Sequence, residues 1–124
     1  MNIPEKYESR QAEITGLFLE ILNRYMDDFI AGRMEEMVSL KQIAAELFLH
    51  PIHVTNVIKL HTGYHPCHYY EIRILEEARK LLADPELTIT EVAHKLTYDK
   101  SQFTKFFRKY QGMTPSAYRS TLAK

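Results

Sequence analysis

The last 86 residues of the chain carry one pattern twice, and that repetition limits the fold more than any other feature. Displaced by 49 positions without a gap, Ser39-Leu40-Lys41-Gln42-Ile43-Ala44 falls on Thr88-Ile89-Thr90-Glu91-Val92-Ala93. Leu47 then meets Leu96, Val54 meets Phe103, Val57 meets Phe106 and Ile58 meets Phe107. Lys59 meets Arg108, Gly63 meets Gly112, Pro66 meets Pro115 and Tyr69 meets Tyr118. Helix starts, apolar positions, glycine breaks and prolines recur together, so a structural unit is duplicated. Ser39 and Thr88 are N-cap residues, and Gln42 and Glu91 three positions on complete capping boxes. Each first helix runs to about Leu47 or Leu96 and buries Ile43, Ala44 and Leu47, or Val92, Ala93 and Leu96. Alanine at 44 and 93 suits a close helix crossing. A tight turn, His50-Pro51 in one copy and Asp99-Lys100 in the other, leads to second helices over 51–62 and 100–111. These stop at Gly63 and Gly112, in left-handed caps. Two short helices around a tight turn have the shape of a DNA-reading helix-turn-helix.

The remainder of the chain is also helical. From about Tyr7 to Ala31, Ile14, Leu17, Phe18, Ile21, Leu22, Tyr25, Phe29 and Ile30 recur at helical spacing, and Gly32 is a stop. Residues 1–6 are expected to fray, and 33–38 form a short connection. Between the copies, Pro66 to about Ala83 reads as one longer helix with Tyr69, Ile72, Leu75, Ala78, Leu81 and Leu82 inward. Asp84-Pro85 ends it, and Thr114 caps a last helix that opens at Pro115. No strand-like alternation and no glycine-rich phosphate loop is present. The expected architecture is all-α, about seven helices: two helix-turn-helix subdomains joined by a long linker helix, behind an extended N-terminal helix. The expected divisions are 1–38, 39–65, 66–84 and 85–124.

A net charge of zero is unsuited to a nucleic-acid partner until it is divided along the chain. Residues 1–38 hold four Lys/Arg against eight Asp/Glu, whereas 39–124 hold twelve against eight and all six histidines. The duplicated part is therefore the basic part, as meeting phosphate requires. No apolar run approaches the ~20 residues that span a bilayer. The single Cys67 excludes an intrachain disulfide and fits a reducing cytosol, giving a cytoplasmic expectation.

The second helix of each copy carries the chemistry. In 51–62 the inward set is Val54, Val57, Ile58 and His61, and the outward stripe is Ile52, Thr55, Asn56 and Lys59. In 100–111 the inward set is Phe103, Phe106, Phe107 and Tyr110, and the outward stripe is Ser101, Thr104, Lys105 and Arg108. Asn pairs bidentately with adenine, Lys and Arg donate to guanine, Ser and Thr adapt, and an Ile or Thr methyl meets a thymine methyl. Lys59, Arg108 and Lys109, further along, are placed as phosphate clamps, with Thr104 beside them. One polar stripe alone would pass for an ordinary solvated surface. Two in matching register are harder to explain that way.

Other chemistries are poorly supported. His61, His65 and His68 cluster near Gly63, and His50 and His53 lie one turn apart, a spacing imidazole ligands can use. Glycine and proline interrupt the first group, and no Cys or carboxylate accompanies it, so turn, surface or phosphate roles are preferred to a metal. No nucleophile-base-acid pattern exists, and a lone cysteine is more often inert. No enzyme, metal or cofactor is expected.

The run Phe103-Thr104-Lys105-Phe106-Phe107-Arg108-Lys109-Tyr110-Gln111-Gly112-Met113-Thr114-Pro115-Ser116-Ala117-Tyr118-Arg119 resembles the C-terminal signature of AraC/XylS-type transcription regulators. Ile74-Leu75-Glu76-Glu77-Ala78-Arg79-Lys80-Leu81-Leu82 resembles the linker helix of that family, and Ile89-Thr90-Glu91-Val92-Ala93 its fifth helix. The resemblance covers about residues 39–119. It implies that the second helix of each unit enters one of two adjacent major grooves. By position it implies Ile52, Thr55 and Asn56 as base readers of the first unit, and Ser101, Gln102 and Lys105 of the second. The family commonly has glycine where Thr97 stands, a second turn one residue longer, and serine where His50 stands, so a weaker cap is expected there. Full-length members usually carry an N-terminal sensing or dimerising domain, for which residues 1–38 are too few. An excised domain and a stand-alone short regulator both fit.

The leading expectation is sequence-specific binding of double-stranded DNA in transcription regulation. The alternative is a protein-interaction module of the same fold. In it the apolar N-terminal helix, with Leu19 and Met26 beyond one face, would meet RNA polymerase, another regulator or a second copy.

Overall fold

The computed structural model describes the backbone of residues 5–123 and the side chains of residues 9–123. Seven α-helices make up the described chain: α1 Glu5–Ile30, α2 Leu40–Glu46, α3 Pro51–Thr62, α4 Pro66–Leu82, α5 Ile89–Lys95, α6 Lys100–Gln111 and α7 Pro115–Leu122. The all-α expectation holds. The start of α1 differs: Glu5 and Lys6 are helical, and of the expected frayed stretch residues 1–4 lie outside the described residues. The chain divides into two compact units, Met1–Glu71 and Ile72–Lys124, with the division inside α4.

In the first unit, Ile14, Phe18, Leu22 and Met26 follow one another at four-residue intervals and are fully buried, a continuous stripe along α1. It packs on α3 and α2, whose Val54, Val57, Ile58, Ile43 and Ala44 complete the core. Met26 is thus core, and Leu19 is half-buried. Leu17 and Ile30, members of the same periodic set, are 38% and 37% exposed because they fall at the edge of the stripe. α1 ends as its glycine foretells: Gly32 has φ +80°, its N–H reaches Phe29 O at 3.1 Å, and Arg33 N–H reaches Asp28 O at 2.9 Å. An Arg24–Glu46 ion pair of 2.6 Å ties α1 to α2. The Tyr25 hydroxyl and the Arg24 guanidinium beside it hold the Glu46 carboxyl below the usual carboxylate range.

Three buried polar atoms of this unit, Gln11 Nε2, Thr15 Oγ1 and the Tyr70 hydroxyl, make no hydrogen bond among the described residues. Tyr70 meets Phe18 edge-on at 6.2 Å, and burial, with Cys67 as a lesser influence, pushes its phenol pKa upward.

In the second unit, Val92 and Ala93 of α5 and Leu96, which caps its end, pack against Phe103 and Phe107 of α6, all essentially without exposure. Ile74, Leu75, Ala78 and Leu82 of α4 are buried too; Ile74 was not anticipated as inward, and Ile72 and Leu81 are only half-buried. Glu77, also buried, is paired with Arg73 and with Lys80 at 3.3 Å. Arg119 of α7 closes the end of α4 by donating to Leu82 O at 3.0 Å, which satisfies an orphan carbonyl of that terminus, and it holds the turn that follows by donating to Asp84 O at 3.1 Å. Arg79 Nε donates to Gln111 Oε1 at 2.9 Å, fixing α6 to α4.

Candidate nucleic-acid interface

The duplication seen in the sequence extends to individual hydrogen bonds. Ser39 Oγ accepts from Gln42 N and the Gln42 amide accepts from Ser39 N; Thr88 and Glu91 make the same reciprocal pair. Each first helix then closes in the same way. Leu49 N–H donates to Ala44 O at 3.0 Å, and Tyr98 N–H to Ala93 O at 2.9 Å. The residue before each donor is left-handed: Phe48 at φ +56° and Thr97 at φ +67°. Thr97 therefore adopts the conformation for which glycine is suited. These turns, each four residues long, aim the second helices.

In the first unit His50 caps α3, its Nδ1 accepting from Ile52 N–H at 3.1 Å. The weak cap expected there is thus filled by an imidazole. Val54, Val57 and Ile58 hold the helix to the core. His61, expected inward, is exposed; the last turn places Thr62 inward instead, its hydroxyl donating to Ile58 O at 2.7 Å. On the outer side Ile52 is 64% exposed and Leu60 60% exposed, with Asn56 and Lys59 exposed beside them. Asn56, Lys59 and Leu60 line an open hollow. Thr55 is half-buried.

In the second unit Asp99 caps α6 and forms a third capping box. Its Oδ1 accepts from Gln102 N–H at 2.7 Å, and Gln102 Oε1 accepts from Asp99 N–H at 3.2 Å. The Asp-x-x-Gln signal was present in the sequence, but only its Ser and Thr counterparts were recognised. Gln102, implied by resemblance as a base reader, has its amide oxygen engaged in this box. Phe103 and Phe107 anchor the helix, while Phe106 and Tyr110, expected as core, are half-buried. Both lie in an aromatic row: Tyr98 stacks on Phe106 at 5.3 Å, and Phe106 meets Tyr110 at 5.4 Å. Ser101, Gln102, Lys105, Arg108 and Lys109 are exposed. Lys109 Nζ lies 5.2 Å from the Tyr110 ring centroid. Thr104 is half-buried with its hydroxyl committed to Lys100 O at 2.8 Å, and it occupies the position matching Thr55.

The charge is unevenly shared. The first unit carries six Lys/Arg and ten Asp/Glu, the second ten and six. A polyanion would find its counter-charge chiefly on the second. Among the described residues no group of His, Cys, Asp or Glu could hold a metal ion, and no helix is long and apolar enough to cross a membrane.

Comparison with known proteins agrees with this geometry. The helix-turn-helix domain family matches residues 43–121. YobQ, an HTH-type transcriptional regulator of Bacillus subtilis strain 168, is 34% identical over 95 residues, 76% of this chain and 39% of YobQ. AarP, an HTH-type transcriptional activator of Providencia stuartii, is 32% identical over 92 residues, 73% of this chain and 68% of AarP. The chain thus spans about two-fifths of the length of YobQ and two-thirds of AarP. The crystal structure of a DNA-binding transcriptional dual regulator from Escherichia coli K-12 has the same fold, with a TM-score of 0.71 at 22% identity over 89% of this chain and 92% of that one. All three of these proteins are described as regulators or activators of transcription. The chain belongs to the helix-turn-helix domain family, within the superfamily of HTH-type transcriptional regulators.

Proposed function

We propose that the protein is an AraC/XylS-type regulator that binds double-stranded DNA sequence-specifically, with α3 and α6 entering adjacent major grooves. Residues 39–65 and 85–124 act as two reading heads, and 66–84 as the helix that links them. The observation that carries this reading is the pairing of the two helices. Each is capped, anchored by a buried apolar face and stopped by a left-handed glycine, while the solvent side is left to side chains of a different character. Ile52, Thr55 and Asn56 contact bases in the first head, and Ser101, Gln102 and Lys105 in the second. Gln102 does so through its amide nitrogen, since its oxygen belongs to the capping box. Lys59, Arg108 and Lys109 meet phosphates, and Thr104 joins them by turning its hydroxyl from Lys100 O to a phosphate oxygen.

Selection of bound duplexes from a randomised library at moderate salt tests the proposal. It predicts an enriched motif in two parts; recovery of unenriched sequence would end it. Asn56→Ala should cost about 1–3 kcal/mol at one base position of the first part, and Lys105→Ala as much in the second.

A further inference from the structure

We infer that α3 reads the C5-methyl group of thymine: Ile52 packs on the methyl while Asn56, one turn along, pairs with an adenine. The part of the site under the first unit is then rich in A·T pairs, and guanine is demanded only under α6. This rests on the DNA-binding reading above.

The internal repeat supplies the comparison. Position 52 matches 101, 56 matches 105 and 60 matches 109, so Ile, Asn and Leu in the first copy stand where Ser, Lys and Lys stand in the second. Buried positions keep their apolar type between copies, whereas these outward ones change in kind: an aliphatic residue replaces a hydroxyl at 52, an amide replaces a cation at 56, and an aliphatic residue replaces a cation at 60. Ile52 is the second residue of a capped helix and 64% exposed, so it lies in the N-terminal half that reaches base edges. Its neighbours on the same face, Asn56 and Lys59, are a bidentate amide and a cation. The occupant must therefore offer an apolar group beside a donor-acceptor edge, with negative charge close by. In a major groove the apolar group presented by a base is the thymine methyl, the paired amino and N7 groups belong to adenine, and the charge is the phosphate backbone. α6 has no exposed aliphatic residue along its outward stripe, and Lys105 there donates to guanine.

The test uses the full chain and the motif enriched from an unmethylated library, in which thymine alone carries a C5-methyl group. The part read by α3 is the one whose preference relaxes in Asn56→Ala. Thymines of both parts are replaced singly by deoxyuridine, which removes only the methyl. One replacement in the α3 part should weaken wild-type binding about fourfold, equivalent to the ~0.8 kcal/mol of one buried methyl-sized group. None in the α6 part should matter. Ile52→Ser should bind the thymine and deoxyuridine duplexes alike, and since the side chain is exposed its melting temperature should match wild type. An enriched motif with no methyl-sensitive thymine in its α3 part overturns this inference and leaves DNA binding standing. No enriched motif overturns both.

Discussion

Gly16 and Gly63 lie in the same unit, and the same substitution should move its stability in opposite directions. Gly16 is exposed in the interior of α1, outside the left-handed region, and an added Cβ would meet no atom within 4 Å. Replacing glycine by alanine there removes backbone freedom only from the unfolded chain, so Gly16→Ala should stabilise by about 0.5–1 kcal/mol. Gly63 has equally open surroundings, but its φ is +82° and it ends α3, its N–H donating to Lys59 O at 2.9 Å. An L-residue in that conformation costs about 1–2 kcal/mol, of which roughly 0.4–1 is offset by the stiffer unfolded chain. Gly63→Ala should therefore destabilise by about 1 kcal/mol. Urea titration followed by circular dichroism would separate the two variants by nearly 2 kcal/mol. In melting temperature that is on the order of 10 °C for a unit of this size. Because neither site offers a steric clash, backbone conformation is the sole difference between them. If the two variants shift in the same direction, the left-handed stop of α3 has been misassigned.

Two further outcomes are expected. Tyr70→Phe removes a buried hydroxyl that has no partner among the described residues, and should stabilise the first unit by about 1 kcal/mol. The sign of its pH effect follows from the raised pKa: folding favours the neutral phenol, so this contribution is constant below the ordinary value of 10.0 and is lost as pH rises past it. Wild type should weaken above pH 10 more steeply than Tyr70→Phe, as alkaline melting curves would show; parallel curves would contradict the burial of that hydroxyl. Arg108→Ala should weaken binding to every duplex alike and flatten the slope of log affinity against log salt by about 1, whereas Asn56→Ala should leave that slope unchanged. A base-specific loss in Arg108→Ala would reassign that residue.

Local chemistry made most of the fold legible. Ser39, Thr88, Thr114, Gly32, Gly63 and Gly112 act within a few residues of themselves, so cap types and stop types sufficed to place the helix ends. The 49-residue repeat carried the rest, and it reaches further than residue identity: Phe48 and Thr97 share a backbone conformation although neither is glycine. What sequence spacing missed depends on where helices meet. His61 and Ile58 belong to one face by periodicity, yet the core ends before the last turn of α3. Thr55 and Thr104 lie on the outward stripes but at their edges, and both are half-buried. Gln11 and Thr15 continue the spacing of the α1 stripe to Ile14, Phe18 and Leu22, and Glu77 stands three residues after Ile74, so their positions are periodic and it is their polar side chains that hid them from a count of apolar residues. The candidate site was legible for a related reason. Its residues are those the core does not use, and eight of the ten named positions are exposed.

The central claim is that two matched helices read one duplex together. Hydroxyl-radical and methylation-interference footprints on the enriched motif test it directly. Wild type should protect two major-groove segments centred about one helical turn, ~10 base pairs, apart on one face. Asn56→Ala should lose contacts in one segment, and Lys105→Ala in the other. A single protected segment, altered in the same way by both variants, would contradict the account.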